Sequence, residues 1–133
     1  MTDIVPILTP GAPPPGGPYS HAIAARGLLF VSGQRPVDPA TGAIPEGITA
    51  QTHTVFANLL RVLAAGGSSP EAVVKVTAHL SDLAFFDEFN AVYTQYFDPP
   101  YPARTTVGSA LRGILVEVDV IALRPGEATG PLP

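Results

Sequence analysis

The 133-residue sequence predicts an α+β fold, a mostly antiparallel sheet with two helices on one face. Three observations predict it. Short apolar runs that read as strands recur at Leu28–Gln34, Val73–Leu80 and Ile114–Leu123, the last two rich in β-branched residues. Two stretches between them carry apolar residues at helical spacing. Proline- and glycine-rich segments separate these elements and leave the order ββ-α-β-α-ββ.

Residues 1–17 are rich in proline and glycine, which allows at most a short strand and an extended loop. Tyr19–Arg26 and Leu28–Gln34 read as strands paired around Gly27, followed by a loop with turn chemistry at Asp38-Pro39-Ala40-Thr41-Gly42. A helix capped by Thr49 runs to about Ala65, with Ile48, Val55, Phe56, Leu59, Val62 and Leu63 as its apolar stripe and Gly66-Gly67 as its stop. Ser69-Pro70-Glu71 reads as one helical turn. The strand Val73–Leu80 places Val74, Val76, Ala78 and Leu80 on one face. Ser81 or Asp82 caps a second helix bearing Phe86, Phe89, Val92, Tyr93 and Tyr96, which Asp98-Pro99-Pro100 ends. Residues 125–133 read as a flexible tail, and residues 1–133 as one domain.

The last segments read as a β-hairpin turning at Arg112-Gly113. In that register Gly108 pairs with Glu117, Thr106 with Asp119 and Arg104 with Ile121, so Arg104 and Glu117 share a face. The returning strand is apolar on both sides, which predicts a homo-oligomer that covers the face the helices leave open.

Charged residues make up 14% of the chain, Lys75 is its single lysine, and the net charge is −4. No basic run exists, which argues against a nucleic-acid or membrane surface. No apolar run approaches the roughly 20 residues of a membrane-spanning helix, and no signal-peptide pattern opens the sequence; a cytoplasmic protein is expected. His21, His53 and His79 show no metal-ligand spacing, so no metal site is expected. Against this sparse background Arg104 reads either as an ordinary surface arginine or as an anion handle, because a guanidinium grips a carboxylate with two parallel hydrogen bonds.

Several segments occur in a telling order: Gly17-Pro18-Tyr19-Ser20-His21-Ala22-Ile23, Val31-Ser32-Gly33-Gln34-Arg35-Pro36-Val37-Asp38-Pro39, Gln51-Thr52, Asn58-Leu59, Phe89-Asn90-Ala91-Val92-Tyr93, Pro102-Ala103-Arg104 and Val116-Glu117-Val118. Through them the chain resembles the RidA (YjgF/YER057c/UK114) family of reactive-imine deaminases from about residue 17 to residue 124. The resemblance implies a chorismate-mutase-like sandwich and a homotrimer with clefts between subunits. It also implies hydrolysis of 2-imino acids to 2-oxo acids and ammonia, without cofactor or metal. Arg104 matches the family's carboxylate-binding arginine and Glu117 the acid that positions water. Tyr19, Ser32, Gly33 and Asn90 match cleft residues. Plainer readings stand beside these: Tyr19 as core packing, Ser32-Gly33 as a strand-end bend, Asn90 as a helix residue satisfying a loop carbonyl. The sequence departs from the family pattern at His21, Arg35, His79 and Thr106, and in a 104–117 stretch about two residues shorter than usual.

Overall fold

The computed structural model describes residues 3–126. The expected tail therefore lies, apart from Pro125 and Gly126, outside the described residues. Six strands, β1 (Val5–Ile7), β2 (Ala22–Ala25), β3 (Leu28–Gln34), β4 (Val73–Leu80), β5 (Ala103–Gly108) and β6 (Val116–Leu123), form one sheet in the order β1-β2-β3-β6-β4-β5. Every neighbouring pair is antiparallel except β4–β5. Helices α1 (Ile48–Ala65) and α2 (Phe86–Tyr93) pack on one face.

The core lies between that face and the helices. Leu29, Val31, Val76, Ala78, Leu80, Val116, Val118 and Val120 meet Val55, Phe56, Leu59, Val62 and Phe89, all at most 5% exposed. The full stripe expected on α1 is buried, as period-3.6 patterning requires. Gly47, at φ 85°, occupies the N-cap in place of the expected Thr49, which falls inside the first turn. The C-terminus closes as expected in a Schellman motif: Gly67, at φ 77°, donates to the Ala64 carbonyl and Ser68 to Leu63. Gly66 beside it has a second duty, because a Cβ there would sit 2.5 Å from Leu29.

Asp82 caps a short 3₁₀ turn (Leu83–Phe85) that leads into α2, accepting from the Ala84 amide at 2.9 Å. The α-helix ends at Tyr93, and tighter turns carry the chain to Phe97 ahead of the prolines. On β4, an irregularity between Val73 and Lys75 turns Val74 outward, against the expectation that it joins Val76 in the core.

The C-terminal hairpin does not form. β5 pairs with β4 in parallel, Val76 opposite Arg104 and Leu80 opposite Gly108, while β6 pairs with the other edge of β4, Val76 opposite Val120 and His79 opposite Glu117. The link between them crosses the end of β4, where Ser109 donates to the Leu80 carbonyl and Ser81 to that of Leu115. Arg104 is thus level with the buried Val76 and faces the helices. Glu117 is level with His79 and faces the other way. The shared face expected for Arg104 and Glu117 is overturned, as are the pairs Gly108–Glu117, Thr106–Asp119 and Arg104–Ile121.

That second face carries Phe30, Ile121, Thr77, His79, Glu117 and Asp119, and among the described residues no helix covers it. Of the described helices none is long and apolar enough to cross a membrane.

Candidate functional site

The sequence-predicted site residues fall into two groups. The first surrounds Arg104. Its guanidinium carbon lies 4.6 Å from the centroid of the Tyr93 ring, 5.5 Å from Phe89 and 5.6 Å from Phe86. Each such contact stabilises a cation by roughly 0.5–1 kcal/mol near a surface. Asn90 Oδ1 accepts a hydrogen bond from Arg104 Nη2 at 2.7 Å, so Asn90 satisfies the arginine and not a loop carbonyl. Phe86, Phe89, Asn90 and Tyr93 stand three or four residues apart on α2 and therefore present one face to β5. Arg104 forms no ion pair with a carboxylate among the described residues. It lines a depression of about 330 Å³ with Asn90, Tyr93, Thr94, Tyr101 and Pro102. Burial pushes the Tyr93 phenol above its ordinary pKa, and the nearby Arg104 charge opposes that in part. No hydrogen bond of good geometry joins the two side chains, and the Tyr93 hydroxyl is left buried without a partner.

The second group gathers on the opposite face. Tyr19, Ser32, Gly33, Arg35 and Glu117 line another cavity of about 330 Å³. It is built on a bulge: Val31 pairs with Val120 but Gln34 with Val118, so β3 carries one extra residue at Ser32-Gly33. A Cβ at Gly33 would lie 2.5 Å from Glu117 Oε2 and 2.9 Å from its carboxyl carbon. Gly33, and not Gly108, makes the room in which the Glu117 head group sits; Gly108 faces Leu83.

Two hydroxyls here have fixed roles. Ser32 Oγ donates to the Ser20 carbonyl at 2.6 Å, which leaves it only acceptor capacity toward a ligand. Tyr19, 46% exposed and thus not core, accepts from the Gly16 amide at 2.9 Å, so its own proton remains to be donated. His21 Nε2 bonds the Pro13 carbonyl at 2.8 Å and ties the proline-rich segment down beside this cavity. The ring is used for loop anchoring.

Two residues quoted only for their sequence pattern hold the loops in place. Buried Asn58 donates to the carbonyls of Arg35 and Val37, at 3.1 and 2.8 Å. Buried Gln51 donates to Pro45 and accepts from the Leu115 amide. An amide amid an apolar stripe was the available signal, since a buried polar side chain needs partners. The three aromatic rings under Arg104 read in sequence as core alone. His53 on α1 bonds the Tyr96 hydroxyl at 2.8 Å. No cluster of three or more potential metal ligands occurs among the described residues.

The comparisons with known proteins agree with this architecture. The family model described as Endoribonuclease L-PSP matches residues 9–124. A RutC family protein of Pyrococcus horikoshii is 43% identical over 121 residues, covering 89% of this chain and 96% of that protein. The crystal structure of RidA from an Antarctic Psychrobacter superimposes with a TM-score of 0.84 at 37% identity, covering 88% of this chain and 97% of that one. The crystal structure of E. coli TdcF with bound serine gives a TM-score of 0.84 at 34% identity, covering 90% and 98%. With the aligned span taking in both groups of site residues, the chain belongs to the RidA/YjgF family, whose model carries the name Endoribonuclease L-PSP.

Proposed function

We propose that this protein is a cytoplasmic, cofactor-independent deaminase that hydrolyses 2-imino acids such as 2-iminobutanoate and 2-iminopropanoate to 2-oxo acids and ammonia. It works as a homotrimer in which the Arg104 group of one subunit faces the Glu117 group of the next. The observation that carries this reading is the state of Arg104: stacked on aromatic rings, braced by Asn90 and without a carboxylate partner among the described residues. A pre-positioned guanidinium with free donors at a depression suits a small carboxylate.

The chemistry asks little more. A protonated imine carbon is already electrophilic, so catalysis consists of holding the substrate and delivering water. Arg104 binds the substrate carboxylate. Glu117 orients a water and takes one of its protons as the oxygen attacks C2. The resulting carbinolamine receives that proton on nitrogen; the C–N bond then breaks, ammonia leaves, and Glu117 takes the hydroxyl proton as the C2 carbonyl forms. Tyr19 donates to the substrate or the attacking oxygen, and Ser32 accepts from the water.

The test uses 2-aminoacrylate generated in situ by a dehydratase, the enamine tautomer of 2-iminopropanoate. Purified protein should speed release of the oxo acid. Equal rates with and without it would refute the reading.

A second reading is a non-enzymatic trimer that binds small carboxylates, favoured by the serine bound to TdcF. Calorimetric binding of 2-oxobutyrate without any acceleration of imine hydrolysis would select it. RNA cleavage, which the family model's name suggests, fits poorly with a net charge of −4 and scattered arginines; an RNase assay on protein purified through high salt decides the point.

A further inference from the structure

We infer that Arg35 is a specificity residue which directs this deaminase toward imino acids bearing a second carboxylate on the side chain. The inference rests on the reading just given and adds a substrate class to it.

Three observations converge on Arg35. Among the described residues it is the one lysine or arginine lining the cavity that holds Tyr19, Ser32, Gly33 and Glu117, and it also borders the adjoining hollow beneath Pro13, Pro14 and His21. Its guanidinium makes one long hydrogen bond, Nη2 to the Arg112 carbonyl at 3.3 Å, and no ion pair with a carboxylate among the described residues. Most of its five N–H donors therefore have no protein partner among the described residues. Its backbone is fixed by the buried Asn58, whose Nδ2 donates to the Arg35 carbonyl at 3.1 Å and to that of Val37 at 2.8 Å. The half-buried cation thus springs from an anchored stretch of backbone beside the cavity.

The electrostatics argue for an anion at this point. Arg104 already receives the carboxylate on C1, and Glu117 repels any further negative charge brought near it. A substrate with a neutral side chain gains nothing from a second guanidinium. One with a terminal carboxylate, as in 2-iminosuccinate or 2-iminoglutarate, offsets the repulsion from Glu117 by pairing with Arg35. The hydrolysis is unchanged: water replaces the imine nitrogen at C2, and the side-chain carboxylate takes no part.

The experiment compares 2-iminopropanoate with 2-iminosuccinate and 2-iminoglutarate, each released in situ by an amino-acid oxidase, with wild-type protein, Arg35→Leu and Arg35→Lys. Wild type should process at least one of the diacids more efficiently than the monoacid. Arg35→Leu should cut the diacid-to-monoacid ratio of kcat/KM by about tenfold or more, with Arg35→Lys in between, as expected for losing a charge-assisted pair. Wild-type protein should also bind 2-oxoglutarate or oxaloacetate more tightly than 2-oxobutyrate in calorimetry, a readout independent of any variant. If wild type hydrolyses the monoacid but shows no diacid preference, or if Arg35→Leu lowers all substrates alike, Arg35 serves only to brace the Arg112 loop and the inference is wrong while the deaminase reading stands. Failure to accelerate any imine sinks both.

Discussion

The Arg104 group and the Glu117 group are built in opposite ways on two faces of one sheet. Arg104 rises from a regular parallel strand and rests on three rings of α2, so its place is set by packing. Glu117 sits on the uncovered face beside a bulge, where a missing side chain at Gly33 and the loop anchors of Asn58 and Gln51 make its space. One half is a rigid clamp with aromatic walls; the other is a polar pocket shaped by irregular backbone. On the proposed reading, the contrast teaches that neither half is a complete site. A chain that puts its cation and its acid on opposite sides of a sheet must meet a second copy to use both on one small molecule.

Substitutions sharpen the division of labour. Glu117→Gln keeps the shape and removes the base, so kcat should fall about 10³-fold with KM little changed. Arg104→Lys keeps the charge but loses the planar fork; kcat/KM should fall about 10²-fold, mainly through KM. Steady-state kinetics on both variants separate the two effects, and a shared profile would blur the proposed roles.

Gly33→Ala tests the claim that empty space positions Glu117. The clash falls mostly on the end of a flexible side chain, so the carboxylate moves and the fold does not. Activity should drop about tenfold, with the melting temperature within about 4 °C of wild type.

The strands β3 and β4 were legible in the sequence because an apolar run between turn signals, β-branched in β4, is a local feature, and the α1 stripe for the same reason. The candidate site residues were singled out through collinear family segments; their grouping was not. Arg104 and Glu117 are separated by a short link, and strands so joined usually pair. Here β4 lies between them. Which strand fills that slot is a long-range choice that no short window records, and with it goes the face of every side chain on β5. Arg35 stood out only as a departure, and its exposure to the Glu117 cavity required the bulge and the Asn58 anchor.

The smallest expected effect concerns Tyr93. Its folded-state pKa lies above the ordinary phenol value, with burial as the main cause. Between the unfolded value, about 10, and the folded one, the unfolded chain holds fewer protons, so stability falls as pH rises through that window. Tyr93→Phe removes this group and should make the melting temperature less sensitive to pH above about 10. An unchanged alkaline slope would mean that Tyr96, whose phenol is also raised by burial, carries the effect.

Subunit mixing tests the two-copy site most directly. Trimers of Arg104→Ala alone and of Glu117→Gln alone each lack one half of every site. After the two are unfolded together and refolded, about a quarter of the clefts in randomly mixed trimers should pair an intact Arg104 group with an intact Glu117 group, and about a quarter of wild-type activity should return. Mixed oligomers, verified by native mass spectrometry, that remain as inactive as their parents would contradict the account.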